Sequence, residues 1–153
     1  VHNVRLSRGD VVEEMAQSFV APARSQDKNL DIEVRPMISC NGDEKAVRQL
    51  VSILMDNALK YAPPGGQLAL RLERQGRAVV LTVSNTTVHP VDKESLEHLF
   101  DRFYRGDQSR NTQTGGYGLG LSIAKSIVAA HRGKIRAESP APDTLMILVT
   151  LPG

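Results

Sequence analysis

The chain has 153 residues, of which 41% are hydrophobic and 24% are charged. This balance is typical of a single folded domain and excludes a disordered or collagen-like chain. The longest apolar runs, at 145–149 and 78–81, are far shorter than the ~20 residues of a membrane-spanning helix. The net charge of +2 does not indicate nucleic-acid binding, and the lone Cys40 excludes an internal disulfide and a cysteine-based zinc site. Because the chain opens with Val1, we expect it to be part of a longer protein.

Hydrophobic periodicity predicts helices and strands that alternate along the chain. In order, it predicts a helix over 7–25, a strand over 30–34, a turn at 41–42, a helix over 43–61, strands over 68–72 and 79–83, a loop over 85–91, a short amphipathic helix over 92–103, a mobile loop over 105–117, a helix over 119–131, and strands over 134–138 and 144–151. Since helix and strand patterns are interleaved throughout, we expect residues 1–153 to form one mixed α/β sheet domain covered by helices.

Positive charge is concentrated in one part of the chain. Between Arg102 and Arg136 there are seven basic residues and one acidic residue, so this segment carries +6 and the remainder carries −4. A local positive field of this kind attracts a small anion to one site. The alternative interpretation is a solvated basic surface with no ligand.

The densest motif is the glycine-rich segment GGYGLGL at 115–121, where the predicted loop becomes a helix. Unpaired backbone N–H groups and the positive end of the dipole lie at a helix start, and glycine lets a phosphate approach the backbone closely. The segment is not a P-loop, because no Gly-Lys-Ser/Thr follows, and the third glycine of the dinucleotide fingerprint is missing. A flexible hinge that opens a helix is the alternative interpretation.

A second motif, DNALKYAP at 56–63, lies at the end of its predicted helix. Asn57, Lys60 and Tyr61 are spaced three and four residues apart, which places them on one helix face. An amide oxygen, a cation and an aromatic ring together can serve a metal, a phosphate and a base or ribose. A magnesium ion held by one protein oxygen needs only phosphates and waters besides. The alternative is an ordinary helix end, with Lys60 offsetting the dipole and Tyr61 in the core.

Together these motifs resemble those of sensor histidine kinases. DNALKYAP is similar to the N box of that family, LFDRFYRGD at 99–107 to its F box, and GGYGLGL to its G2 box, in the same order and spacing. The similarity runs from about Val4 to Pro152 and includes HRGKI at 131–135. The resemblance implies an ATP-binding catalytic domain with a two-layer α/β sandwich of the Bergerat (GHKL) type, in which a mixed sheet is covered on one face by helices.

The resemblance also implies roles for the matching positions. Asn57 would bind Mg²⁺, Lys60 would bind a phosphate, and Tyr61 would pack near the adenosine of ATP. Arg105 and Arg110 would contact the phosphates. Since residues 105–117 hold few apolar side chains, we expect this segment to be a mobile lid that ATP orders. The backbone amides that would cradle the phosphates belong to Gly116, Gly118, Leu119 and Gly120.

Two positions depart from the family pattern. After the strand that ends at Val83, the expected Asp-x-Gly-x-Gly of the G1 box is replaced by a segment without glycine, and Asn85 stands where the adenine-reading Asp is expected. The Asn85 amide oxygen can still accept a bond from the adenine amine, but we expect this neutral bond to be weaker than a charge-assisted one. Ile53, one turn before Asn57, replaces the Glu with which related ATPases activate water, and it cannot accept a proton.

None of the four histidines is followed by the acidic residue and downstream proline of a phosphoacceptor site; they are His2, His89, His98 and His131. The resemblance therefore implies a protein-histidine kinase domain that transfers the γ-phosphoryl group of Mg-ATP to a histidine on a separate dimerisation domain. It also implies a cognate response regulator as partner, no nucleic acid, and a cytoplasmic position within a membrane-anchored bacterial sensor. The alternatives are a nucleotide-sensing or pseudokinase module whose altered G1 box has lost productive ATP binding, and a free-standing ATPase.

Overall fold

The fold is a mixed β-sheet with helices packed on it, as seen in a computed structural model that describes residues 4–6, 8–34, 40–42, 44–88, 93, 96, 99–100 and 117–152. The strands are β1 (Val4–Leu6), β2 (Asn29–Val34), β3 (Cys40–Gly42), β4 (Gln67–Gln75), β5 (Ala78–Thr86), β6 (Lys134–Ala141) and β7 (Thr144–Pro152). The helices are α1 (Arg8–Gln17), α2 (Val20–Ser25), α3 (Glu44–Tyr61) and α4 (Tyr117–Ala130).

Five strands form the main sheet, in the spatial order β2-β4-β5-β7-β6. The β2 strand runs parallel to β4, whereas the other neighbouring pairs are antiparallel, so the predicted mixed sheet is confirmed. In register across three strands, Leu70 faces Val83 and Val83 faces Ile147, and all three side chains are buried. Since residues two apart share a face of a strand, this row marks the face that the helices cover.

The core lies between that face and the helices α1, α3 and α4. On α3, Leu50, Leu54 and Ala58 recur every four residues and are at most 1% exposed, as expected for one helix face. Burial of one such leucine side chain stabilises the fold by roughly 1.5–3 kcal/mol. The predicted arrangement of one sheet layer and one helical layer is therefore confirmed.

Three predicted local structures were wrong. The helix expected over 7–25 is divided between α1 and α2, because Pro22 has no N–H with which to bond the Ser18 carbonyl. The turn expected at 41–42 is part of β3, which pairs with β1. The loop expected from residue 85 begins later, because β5 continues to Thr86 and remains paired on both sides at Asn85.

The other predicted helices and strands agree in type with the structure. Of the short helix predicted over 92–103, residues 93 and 96 are helical, residues 99–100 form a turn, and the rest lies outside the described residues. The loop predicted over 105–117 lies outside them as well, except for Tyr117, which begins α4. Within the described ranges, no helix has both the length and the apolarity needed to cross a membrane.

Candidate functional site

The most unusual polar side chain of the described structure is Asn57, in the second-to-last turn of α3. The residue is 4% exposed, and its neighbours Ala58 and Leu59 are buried as well. Its Oδ1 and Nδ2 atoms are both buried, and neither has a hydrogen-bond partner in the part of the chain that is described. Leaving a buried amide unpaired costs roughly 1–3 kcal/mol. The arrangement is therefore that of a group whose partner is not part of the described protein.

The other two residues predicted for this helix face lie within the last turn of α3. The Lys60 side chain is 44% exposed, and its Nζ lies 3.7 Å from the Asp56 Oδ2 atom. Exposed ion pairs of this kind contribute little to stability. Tyr61 is half-buried and is the last residue of α3. Since α3 is helical to its end, the structure keeps all three predicted side chains on one face.

The segment that follows α3 packs tightly against the end of β5. A Cβ atom at Gly66 would lie 2.5 Å from the Thr86 Oγ1 and 2.8 Å from the Pro63 carbonyl oxygen, so only glycine fits there. The Thr86 hydroxyl also accepts a hydrogen bond from the Gln67 backbone N–H at 3.1 Å. These contacts bring the segment that follows the N box next to Thr86, the residue after Asn85.

Asn85 occupies the buried face of β5, where it is 3% exposed and paired in register with Leu68 and Leu145. Its Nδ2 donates a hydrogen bond of 2.9 Å to the backbone carbonyl of Thr86. That bond identifies the nitrogen end of the amide, because a flipped side chain would place two acceptor oxygens against each other. The other end of the amide is therefore an acceptor oxygen, which is the group that an adenine amine requires.

The glycine-rich motif forms the start of α4, beside α3. A Cβ at Gly120 would lie 3.7 Å from the Cγ2 atom of Ile53, one helical turn before Asn57, and Gly118 and Leu119 belong to the same first turn. The structure thus brings the N-box and G2-box helices together, and α3 also packs on β5, which carries Asn85. The predicted site residues Arg105, Arg110 and Gly116 lie outside the described residues.

Sequence analysis did not identify Lys28, which is 8% exposed and bonds to the last turn of α3. Burial of its ammonium group lowers the pKa of Lys28 below the ordinary value of 10.5. The sequence holds one signal for such a contact: Pro63 and Pro64 come two and three residues after the end of α3, and neither has an N–H for the helix carbonyls. The identity of the donor, 31 residues away from the carbonyl it serves, is visible only in the structure.

Comparison with known proteins agrees with this geometry. Residues 42–153 match the family described as histidine kinase-, DNA gyrase B- and HSP90-like ATPases. The sensor histidine kinase CusS of Escherichia coli O157:H7 is 38% identical over 128 residues, which cover 83% of this chain and 26% of that protein. The chain therefore spans about a quarter of the length of this curated relative.

Solved structures show the same fold over nearly the whole chain. The mycobacterial sensor histidine kinase MprB superposes with a TM-score of 0.83 at 26% identity and covers 99% of this chain and 98% of its own. The catalytic domain of the histidine kinase ThkA has a TM-score of 0.86 at 22% identity, covering 99% and 96% of the two chains. The chain therefore belongs to the family of histidine kinase-, DNA gyrase B- and HSP90-like ATPases, and within it to the catalytic domains of the sensor histidine kinase type.

Proposed function

We propose that the chain binds Mg-ATP and donates the γ-phosphoryl group to a histidine on a separate dimerisation domain, as a step of two-component signalling. The observation that carries this proposal is the Asn57 amide, which is buried and lacks a partner in the described part of a domain whose family is one of ATPases. Folded proteins almost always pair their buried amides. A partner supplied by the ligand accounts for the exception.

The donor chemistry at Asn57 fits a magnesium ion that is bound together with a nucleotide. Mg²⁺ prefers oxygen ligands and usually keeps several waters, so that one or two protein oxygens and the phosphates complete its shell. Among the described residues, no three His, Cys, Asp or Glu side chains are grouped closely enough to hold a metal by themselves. The Asn57 Oδ1 would therefore hold the ion jointly with ATP. When bound, magnesium neutralises charge on the β- and γ-phosphates.

The remaining contacts to ATP are assigned to residues around Asn57. We place the adenine amine at the Asn85 Oδ1, the adenosine near Tyr61, and a phosphate at the Lys60 ammonium group. The G2-box amides of Gly116, Gly118, Leu119 and Gly120 would bind the phosphates, because backbone N–H groups at a helix start face outward without intrahelical partners. Arg105 and Arg110 would add positive charge from the lid predicted over 105–117.

Phosphoryl transfer then needs positioning and charge neutralisation more than covalent help from the protein. A ring nitrogen of the acceptor histidine attacks the γ-phosphorus, the bond from that phosphorus to the β–γ bridging oxygen breaks, and ADP leaves. Imidazole, with a pKa near ~6.5, is largely neutral and nucleophilic at pH 7 without a general base. Ile53, the side chain beside Gly120, has no proton acceptor that would activate water instead. This favours transfer to histidine over a free-standing ATPase.

The wider setting follows from the relatives and is likewise proposed. Residues 1–153 would form one catalytic domain, whose partners are the dimerisation domain of the same kinase and a cognate response regulator. The domain would lie on the cytoplasmic side of a membrane-anchored sensor. We propose no direct contact of this domain with nucleic acid or membrane.

The deciding experiment combines the purified chain with its matching histidine-bearing dimerisation domain and γ-labelled ATP. We expect acid-labile label on the dimerisation domain, and none when its acceptor histidine is replaced by glutamine. Nucleotide binding without label would indicate a pseudokinase or nucleotide sensor. Steady phosphate release by the chain alone, at a rate that the dimerisation domain does not change, would indicate a free-standing ATPase.

A further inference from the structure

In the last turn of α3, the Leu59 carbonyl lacks its regular backbone hydrogen-bond donor. In a regular helix, the Leu59 carbonyl would accept a bond from the backbone nitrogen four residues later, but that residue is Pro63, which has no N–H. The preceding carbonyl, of Ala58, is bonded in the ordinary way by the Ala62 N–H at 3.1 Å. The helix therefore needs a donor from elsewhere in the chain at Leu59.

Lys28 supplies that donor. Its Nζ donates to the Leu59 carbonyl oxygen at 2.5 Å and to the Gln26 Oε1 at 2.8 Å, while the residue is only 8% exposed. In the described part of the chain, no carboxylate forms an ion pair with this ammonium group, so its two observed acceptors are both neutral. A cation at the carboxyl end of a helix is favourable because the helix dipole is negative there. Burial opposes this by lowering the pKa of Lys28.

Two backbone bonds join the same pair of segments. The Gly65 N–H donates to the Asp27 carbonyl at 2.6 Å, and the Asn29 N–H donates to the Gly66 carbonyl at 3.0 Å. Gly65 and Asp27 both have positive φ, of +83° and +58°, which turns the two segments toward each other. The turn at residues 26–29 and the segment at 62–66 thus form one bonded unit at the end of α3, with Lys28 at its centre.

From this arrangement we propose that Lys28 is a positioning residue of the nucleotide site, which holds the last turn of α3 so that the Asn57 amide faces its ligand. The inference rests on the proposed function, since it takes Asn57 as a ligand of Mg-ATP. Leu59 lies two residues after Asn57 and immediately before Lys60, so a shift of the end of α3 around Leu59 moves both side chains. Methionine would fill the same volume without burying a charge. What lysine adds is the bond to the Leu59 carbonyl.

The test compares Lys28→Met and Lys28→Arg with the unchanged 153-residue chain. A stability control is Leu151→Ala in β7, because Leu151 is buried and pairs with Val79, at the other end of β5 from Asn85. Each variant is measured for unfolding by urea, for Mg-ATP affinity by calorimetry under conditions where it is fully folded, and for the side-chain amide signals of Asn57 by NMR without nucleotide. Those signals are assigned by their loss in Asn57→Asp.

We expect Lys28→Met to shift the Asn57 amide signals and to weaken Mg-ATP binding by about tenfold, the effect typical of residues that orient a metal ligand. Lys28→Arg, which keeps a charged donor, should retain most of the affinity, and Leu151→Ala should lose stability without losing affinity. Unmoved Asn57 signals and unchanged affinity in Lys28→Met would reduce Lys28 to a structural residue. If the unchanged chain bound no Mg-ATP, the proposed function would be wrong. The Asn57 amide signals of Lys28→Met would still show whether Lys28 positions the end of α3.

Discussion

Asn57 and Asn85 are buried to nearly the same extent, at 4% and 3% exposed, yet their amides are in opposite situations. The Asn85 Nδ2 is bonded to the Thr86 carbonyl, whereas both polar atoms of Asn57 lack a partner in the described chain. A bonded amide is held in one orientation and contributes to the stability of the domain. An unbonded one lowers stability and is free to bind something else. The fold therefore sets the orientation of the Asn85 amide, whereas the Asn57 amide is the one that we propose to bind a ligand.

The largest expected effect comes from Asn57→Leu, which removes the unpaired amide at nearly constant volume. Mg-ATP affinity should fall by about 100-fold or more, because orienting groups alone cost 10–100-fold and Asn57 is proposed as a direct ligand. Stability without nucleotide should stay the same or rise by about 1 kcal/mol, since no hydrogen bond is lost. Calorimetry with Mg-ATP and urea unfolding measure the two quantities.

The matched control for this prediction is Asn85→Leu. It removes an amide of the same size that has a partner, so it should lower stability by about 1 kcal/mol without nucleotide. If both leucine variants lost stability equally, Asn57 would have a structural partner and the contrast between the two asparagines would be wrong.

Ile53→Glu places a proton acceptor one turn before Asn57. It tests by phosphate release whether the Asn57 amide faces Mg-ATP. If the Asn57 amide faces Mg-ATP, a carboxylate at position 53 lies near the phosphates and can activate water. Steady phosphate release by the chain alone should then rise at least about tenfold, below the 10²–10⁴ of an evolved general base. Ile53→Gln has the shape of the Glu variant but no proton acceptor of comparable basicity, so it should leave the rate of phosphate release unchanged. A rise in the Gln variant would show that polarity alone, rather than proton transfer, is responsible.

Asn85→Asp tests the bonded asparagine. The new carboxylate cannot donate to the Thr86 carbonyl, so the domain without nucleotide should lose roughly 1–3 kcal/mol of stability. The adenine amine would supply a donor, and saturating Mg-ATP should therefore raise the unfolding midpoint more in this variant than in the unchanged chain. Loss of binding by a domain that remains folded would remove Asn85 from the base site.

Much of this fold could be predicted because its longest elements have strong periodicity of their own. The apolar positions of α3 define its length, and Pro63 and Pro64 mark its end. The β3 strand could not be predicted, because the same Asn41-Gly42 that usually turns a chain is held in a strand by pairing with β1. The extension of β5 to Thr86 depends likewise on its two neighbouring strands.

The candidate site was predictable to a similar degree. The residues Asn57, Asn85 and Gly120 could be chosen from motifs, but the state of each amide could not, since a hydrogen-bond partner is a property of the folded chain. Lys28 carries no motif at all, and its partner lies 31 residues away. The hydrogen bonds that orient these side chains, such as the proposed support of α3 by Lys28, are therefore the features that were hardest to predict from the sequence.

The smallest expected effect concerns a polar pair that is hydrogen-bonded but exposed to solvent. It shows how little a bonded polar group contributes to stability when it is not buried. The Arg48 Nη1 lies 2.6 Å from the Glu14 Oε1 and joins α3 to α1. Its hydrogen bond and its charge hold the pKa of Glu14 below the ordinary value of 4.5. A carboxyl group whose pKa is lowered by folding adds stability that is fully present above 4.5 and is lost as the pH falls through the lowered value.

Arg48→Met should therefore be less stable than the unchanged chain at pH 7, and the difference should shrink as the pH falls below 4.5. Urea unfolding of both chains between pH 7 and pH 3 measures this, and added salt should reduce the difference at pH 7, because exposed charges are screened. Glu14→Gln removes the carboxylate of the same pair, so its stability difference from the unchanged chain should also shrink as the pH falls. A stability difference that stayed constant with pH would show that the Arg48 side chain acts through packing on α1 rather than through its charge. The exposed pair could then not be compared with the two buried amides as a hydrogen-bonded polar group.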